Sequence, residues 1–176
     1  MKILIIGNIG SGKTTLGKKI QEFSGFEFIQ IDELRERFFE KKVSEEYYCL
    51  YEFIKAIEDI DNVILEFTGA GCHKYAIKRA LELSNDKIII ICCKNRDFST
   101  ISERLKNKEL NENFPFHTDI ENHINYIKEE LDEKTIESFW IIKNSMLINV
   151  YMDIPEDMTE NMKVIKSRVK LMGENE

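Results

Sequence analysis

Short apolar runs alternate along the chain with segments whose apolar residues recur at helical spacing. Ile88-Ile89-Ile90-Ile91 is the clearest run, because β-branched residues favour buried strands. The runs predict five strands, at residues 2–6, 26–31, 62–67, 87–92 and 146–151. Strands that alternate with helices indicate a mostly parallel sheet with helices on both faces. The pattern therefore predicts a single α/β domain with three layers over residues 1–176.

The segment between the fourth and fifth strands has a different pattern. Two capping boxes predict helix starts there, Thr100 with Glu103 and Thr118 with Glu121. The stretch between them is polar and has no periodicity. It follows the fourth strand, where a mobile segment can close over a bound ligand. We predict a small lid around residues 104–117, with an ordinary surface loop as the alternative.

Residues 7–14 read GNIGSGKT and directly follow the first apolar run. They fit the pattern G-x-x-x-x-G-K-[ST], in which backbone N–H groups surround phosphates at a helix N-terminus. Lys13 supplies a positive charge for the β- and γ-phosphates, and the Thr14 hydroxyl can ligate Mg²⁺. Thr15 suits an α-phosphate contact and breaks the dinucleotide-binding fingerprint, which needs glycine or alanine there. The predicted nucleotide-binding residues are Gly7, Asn8, Ile9, Gly10, Ser11, Gly12, Lys13, Thr14 and Thr15.

Asp32 directly follows the second predicted strand, at the sheet edge where ligands of parallel α/β folds bind. A carboxylate there can take the proton of an acceptor hydroxyl and orient it for attack on the γ-phosphorus. The alternative is an N-cap for a helix over residues 33–42. Arg35 lies one helical turn further on the same face, where its guanidinium can hold an anionic group of the acceptor.

Further candidates follow the third and fourth strands. Glu66 ends an apolar strand and is expected near Thr14. There it can hold a Mg²⁺-bound water and help line the acceptor site. The alternative is that Glu66 caps a helix or forms an ion pair. Gly69 leaves room there for the acceptor. Arg104 is the first candidate for stabilising charge on the transferring phosphoryl group, and Arg96 is the second.

Composition and charge restrict the possible partners. The 176 residues carry a net charge of −7, which argues against long nucleic acid or an anionic membrane surface. The four cysteines show no CxxC spacing and are expected to be reduced core thiols. No signal peptide and no apolar stretch of transmembrane length is visible. We therefore expect a cytoplasmic protein that acts on a small molecule.

On these residues the chain resembles the small P-loop kinases of the adenylate kinase-like group. GNIGSGKTT matches their phosphate loop, and Asp32-x-x-Arg35 is similar to the D-x-x-R motif of polynucleotide 5′-hydroxyl kinases and zeta-toxin-like kinases. The resemblance implies a P-loop NTPase fold with strand order 2-3-1-4-5. It also implies that the aspartate activates the acceptor and the arginine contacts it. ATP is the expected donor, because the guanine-binding Asn-Lys-x-Asp motif is absent.

The chain departs from related kinases in its acceptor region. Adenylate kinases have an arginine-rich lid and an Asp-Gly-Phe-Pro-Arg type segment that this chain lacks. Shikimate kinases have an arginine between strands two and three and a triple glycine after strand three. Here no arginine lies between Arg37 and Arg79, and Gly69-Ala70-Gly71 only approximates the triple glycine. The acceptor is therefore not predicted.

Three functions are compatible with the sequence. The leading prediction is a kinase that transfers the γ-phosphate of Mg-ATP to a hydroxyl or phosphate of a small molecule, such as a nucleoside or nucleotide. The alternative is an ATP-binding or ATP-hydrolysing regulatory module without a phosphorylated acceptor, in which Glu66 polarises water. The third is an inactive relative that keeps the loop for folding alone.

Overall fold

The computed structural model describes residues 1–38, 43–96, 101, 104, 105 and 120–173. Its five strands are β1 (Lys2–Gly7), β2 (Glu27–Gln30), β3 (Val63–Glu66), β4 (Ile88–Lys94) and β5 (Ser145–Tyr151). The helices in the described ranges are α1 (Lys13–Ser24), α2 (Ile31–Arg37), α3 (Val43–Asp59), α4 (His73–Ser84), α5 (Ile120–Glu130), α6 (Glu133–Trp140) and α7 (Pro155–Gly173). All five strand predictions are confirmed, with ends that differ by at most two residues.

The strands form one parallel sheet in the order β2-β3-β1-β4-β5, which confirms the predicted order. In this register Glu66 is paired with Ile5 of β1 on one side and with Gln30 of β2 on the other. The ends of β2 and β3 therefore lie beside the end of β1. The segments that follow these strands are brought together at one edge of the sheet.

Alternation along the strands divides the core into two layers. Leu4 and Ile6 of β1 contact one apolar cluster, and Ile3 and Ile5 contact the other. Side chains of α3, α4 and α6 complete the first layer, and those of α1 and α7 complete the second. This arrangement is the predicted α/β/α architecture. Among the described residues, no helix is long and apolar enough to span a bilayer.

The cysteines follow this division. Cys92 and Cys93 are buried on opposite faces of β4, and Cys49 is also buried. Burial raises the pKa of the Cys92 thiol to about 11 and raises that of Cys93 as well, so neither thiol is reactive at neutral pH. The prediction of core thiols is wrong for Cys72, which is exposed because it lies in the turn before α4.

Helix α2 begins earlier than the sequence predicts. It starts at Ile31, with Gln30 as its N-cap, so Asp32 lies in the first turn instead of capping a helix that starts at residue 33. The reason is that β2 ends at Gln30, one residue short of the predicted strand end. Residues 39–42, the capping-box residues Thr100, Glu103 and Thr118, and residues 106–117 of the predicted lid lie outside the described residues.

Gly69 allows the turn after β3 to pack against β1. Its φ is +83°, and a Cβ on it would lie 2.7 Å from Ile6 Cβ. We expect Gly69→Ala to lower the free energy of unfolding by about 2 kcal/mol, because left-handed strain and overpacking both act there. Chemical denaturation measures this. Gly71→Ala is the matched control, because Gly71 has a φ of +77° but open space around its Cβ. An equal loss in both variants would show that packing against Ile6 contributes nothing.

Candidate active site

The segment between β1 and α1 is the phosphate loop that the sequence predicts. Gly10 and Gly12 adopt left-handed backbone conformations, with φ values of +72° and +91°. Gly12 is the N-cap of α1, and no side chain accepts a hydrogen bond from the first turn of this helix. These N–H groups and the positive end of the helix dipole suit an anion. The loop geometry therefore fits the phosphates of a nucleotide.

Lys13 and Asn8 organise the loop from within. Lys13 is 9% exposed, and its Nζ donates to the Asn8 carbonyl at 2.9 Å. The Asn8 side chain accepts from the Ile9 N–H, and its Nδ2 donates to the Ile124 carbonyl of α5 at 3.0 Å. Within the loop, Asn8 and Ser11 are buried and do not line the cleft, whereas Lys13 does line it.

Thr14 and Glu66 lie together, as the sequence predicts. Thr14 Oγ1 donates to Glu66 Oε1 at 3.0 Å, and Glu66 is only 6% exposed. The described residues contain no group of three or more His, Cys, Asp or Glu side chains that could hold a metal. Mg²⁺ needs no such group, because it keeps several waters and binds through one or two protein oxygens together with substrate phosphates. Thr14 and Glu66 provide hard oxygen ligands of this kind.

A cleft of about 750 Å³ lies over the phosphate loop. Its lining combines loop residues with Asp32, Glu66 and Arg104, and with residues after β5. The full lining consists of Ile9, Gly10, Gly12, Lys13, Thr14, Thr15, Lys19, Asp32, Glu66, Thr68, Arg104, Met152, Asp153, Ile154 and Met158. The prediction that Asp32 faces the nucleotide site is consistent with this placement, and its side chain is 59% exposed.

The lining after β5 is a part of the site that no sequence pattern predicted. Met152, Asp153, Ile154 and Met158 line the cleft between the end of β5 and the first turns of α7. The signal for them was present, because β5 ends at the same sheet edge as β1 and β3. Their methionine and isoleucine side chains give this part of the cleft an apolar wall.

Asp32 begins a chain of charged contacts that leads away from the cleft. Arg35 donates to Asp32 Oδ1 at 2.7 Å, which confirms that the two residues share a face of α2. Arg35 Nε also lies 3.2 and 3.0 Å from the two carboxylate oxygens of Glu46 on α3. Glu46 in turn contacts His73 Nε2 of α4 at 2.7 Å. Hydrogen bonds from His73 and then Arg35 lower the pKa of the Glu46 carboxyl to about 2.

The two arginine candidates occupy different places. Arg104 lines the cleft and donates to the carbonyls of Gly10, Met152 and Asp153 at 3.2, 2.6 and 3.1 Å. Arg96 is ion-paired with Asp157 at 3.0 Å and is not part of the cleft lining. The position of Arg104 is thus compatible with a role at the phosphates, although that role stays a prediction. Gly69 packs against the core and does not line the cleft, so its role in acceptor binding also stays a prediction.

Comparison with known proteins finds kinases. No protein-family model matches the chain. The bifunctional shikimate kinase/3-dehydroquinate synthase of Thermotoga maritima is 40% identical over 81 residues, which cover 40% of this chain and 16% of that protein. The shikimate kinase of Dictyoglomus turgidum is 29% identical over 120 residues, which cover 62% of this chain and 67% of the relative. The chain thus matches only about a sixth of the first relative's length and about two thirds of the second's.

Solved structures agree on the fold. Shikimate kinase from Acinetobacter baumannii in complex with shikimate has a TM-score of 0.60 and 19% identity, over 99% of this chain and 95% of that one. Shikimate kinase from Bacteroides thetaiotaomicron has a TM-score of 0.61 and 18% identity, over 97% of this chain and 98% of that one. A gluconokinase from Sinorhizobium meliloti has a TM-score of 0.59 and 13% identity, over 97% of this chain and 95% of that one.

The fold and the phosphate loop are those of the P-loop kinases. The curated relatives support the predictions of a small-molecule kinase and, through that class, of ATP and Mg²⁺. The relatives and structural neighbours include shikimate kinases, a gluconokinase and a deoxyadenosine kinase. They do not confirm the narrower D-x-x-R group of polynucleotide kinases and zeta-toxin-like kinases, and they do not identify the acceptor.

Proposed function

We propose that this protein transfers the γ-phosphoryl group of Mg-ATP to a hydroxyl of a small molecule. The observation that carries the proposal is that Asp32, a carboxylate on α2, shares one cleft with Lys13 and Thr14 of the phosphate loop. A kinase needs a base at the acceptor beside a phosphate-binding loop, and a carboxylate in the same cleft as the loop supports this role for Asp32. We further expect it to work in the cytoplasm, where its free cysteines would stay reduced.

Each step of the transfer has a residue in this cleft. Asp32 takes the proton of the acceptor hydroxyl, and the acceptor oxygen attacks the γ-phosphorus as the bond to the β-γ bridging oxygen breaks. Lys13 balances the negative charge on the phosphates, and Arg104 is close enough to the loop to assist it. Thr14 and Glu66 would hold Mg²⁺, directly and through water, which supplies further positive charge at the phosphates.

The apolar wall after β5 is a suitable surface for the nucleobase of ATP to bind. Ile154 and Met158 line the cleft on the side away from Asp32's helix, because β5 and β2 are the opposite edge strands of the sheet. A nucleotide with its base on this wall and its phosphates on the loop directs its γ-phosphate toward Asp32. ATP hydrolysis without an acceptor is less well supported, because Glu66 is bonded to Thr14 and so is oriented toward the metal position.

Phosphorylation of a panel of acceptors tests this function. Purified protein is incubated with γ-labelled ATP, Mg²⁺ and nucleosides, sugars, polyols, amino alcohols and hydroxy acids. We expect at least one class to yield a phosphorylated product by mass spectrometry and to accelerate ADP formation. Slow ATP hydrolysis at one rate with every acceptor, and no phosphorylated product, would contradict the proposal and favour the hydrolytic alternative.

A further inference from the structure

Behind the cleft-lining carboxylate of Asp32 lies a cation that is already neutralised, Arg35; of this charged cluster only Asp32 lines the cleft. The sequence predicts that Arg35 holds an anionic group of the acceptor. In the structure its guanidinium instead contacts two carboxylates, Asp32 Oδ1 at 2.7 Å and both oxygens of Glu46. The Arg35 side chain is only 18% exposed, and the two carboxylates contact its Nε, Nη1 and Nη2 atoms.

The charges of this cluster do not favour an anion. With a neutral His73, one guanidinium faces two carboxylates, and the sum for Arg35, Asp32, Glu46 and His73 is −1. With a protonated His73 the sum is zero. Neither protonation state of His73 gives these four described residues a net positive charge. Glu66 adds another carboxylate at the same edge of the sheet, where its register partner Gln30 directly precedes α2.

An acceptor carboxylate or phosphate would have to displace Glu46 from Arg35. The Glu46 carboxylate accepts from two donors of the guanidinium, Nε and Nη2, and two-donor pairs of this kind are the stronger ones. It is also held by His73, so it is tied to both α2 and α4. A displaced Glu46 would lie beside the incoming anion, and like charges at such distances disfavour binding.

We propose that Glu46 is a specificity-determining residue, which keeps Arg35 neutralised so that the acceptor site selects uncharged or amino-bearing hydroxyl compounds and rejects carboxylates and phosphates. This inference rests on the proposed kinase function. Arg35 then positions Asp32 for the acceptor hydroxyl and does not bind the acceptor's charge. The acceptor class would differ from shikimate, the carboxylic acid in one of the similar structures.

Matched acceptor pairs test the proposal. Each pair shares its hydroxyl groups and differs in charge, such as shikimate methyl ester with shikimate, or gluconamide with gluconate. We expect the wild type to show a kcat/KM at least 10-fold higher for the uncharged member. Glu46→Gln removes the charge that neutralises Arg35 and should shift this ratio toward the anionic member by about 10-fold or more. Glu58→Gln, an exposed change elsewhere on α3, should leave the ratio unchanged.

A binding measurement separates this proposal from the kinase function. Shikimate is titrated into ADP-loaded protein by calorimetry; we expect no binding to the wild type and measurable binding to Glu46→Gln. Equal affinity in both proteins, or wild-type preference for the anionic member of a pair, overturns the proposed specificity while leaving the kinase function intact. Absence of any phosphorylated product with gain of shikimate binding in Glu46→Gln would instead overturn the kinase function alone. Thermal unfolding verifies that Glu46→Gln folds. If it does not fold, the kcat/KM ratios of the wild type for the matched pairs decide whether the proposed specificity holds.

Discussion

Replacing Asp32 by alanine is expected to lower kcat for acceptor phosphorylation by about 10²–10⁴-fold, the usual contribution of a positioned general base. Asp32 lines the cleft with the phosphate loop, and its side chain is 59% exposed and belongs to neither core cluster of the sheet. The affinity for Mg-ATP should therefore change little, since the phosphates bind to the loop and α1. Steady-state kinetics with the acceptor found in the panel, together with calorimetry of Mg-ATP, measure both quantities.

Two further changes make this result specific. Glu33→Ala removes the neighbouring carboxylate of α2, which contacts Gln30 and does not line the cleft, so kcat should stay within a few fold. Glu66→Ala should chiefly raise the Mg²⁺ concentration needed for half-maximal activity, because Glu66 contacts Thr14. If Asp32→Ala leaves acceptor phosphorylation intact, Asp32 is not the base. If Glu66→Ala is the worse lesion for ATP hydrolysis without an acceptor, the hydrolytic alternative gains support.

Replacing Lys13 by alanine is expected to lower kcat by about 10²–10³-fold and to weaken Mg-ATP binding in the same protein. Lys13 is a nearly buried ammonium at the loop, and its Nζ is held over the loop by the Asn8 carbonyl. Its charge is worth more there than in water, because the surrounding dielectric is low. Calorimetry and single-turnover kinetics measure the two effects.

Lys19→Ala is the matched control for Lys13. Lys19 also lines the cleft but is exposed and ion-paired with Glu22, so its loss should change Mg-ATP affinity little. Thermal unfolding of both variants reports whether the loop still folds. A wild type that binds no Mg-ATP, or a Lys13→Ala variant that binds it normally, would show that the loop serves folding alone.

The fold could be predicted because its signals are local. A buried strand needs only a few adjacent apolar residues, and the phosphate loop needs only its glycines, lysine and threonine at fixed spacing. From these, the rule that ligands meet at the carboxyl ends of parallel strands was enough to expect Asp32 beside the loop. It was also enough to expect Glu66 beside Thr14, and the structure confirms that contact.

The parts that were missed depend on contacts between distant segments. Glu46 lies in a helix with no motif, and only the packing of α2 and α4 against α3 brings it to Arg35 and His73. The choice between Arg96 and Arg104 likewise depends on partners far along the chain. Asp157 pairs with Arg96, whereas the carbonyls of Gly10 and Met152 hold Arg104 at the cleft. A pattern in sequence contains no record of such pairings.

The hydrogen bonds of Asn8 and Gly10 have a mechanical consequence. Asn8 Nδ2 donates to the Ile124 carbonyl of α5, and Arg104 donates to the Gly10 carbonyl. The phosphate loop therefore contacts the chain both before and after residues 106–119. The side chain of Ile9, between them, packs with Ile101, Leu105, Ile124 and Ile127. Arg104 and Ile124 are therefore both held by residues of the same phosphate loop. Any adjustment of the loop backbone to phosphate is passed to both of these anchor points at once.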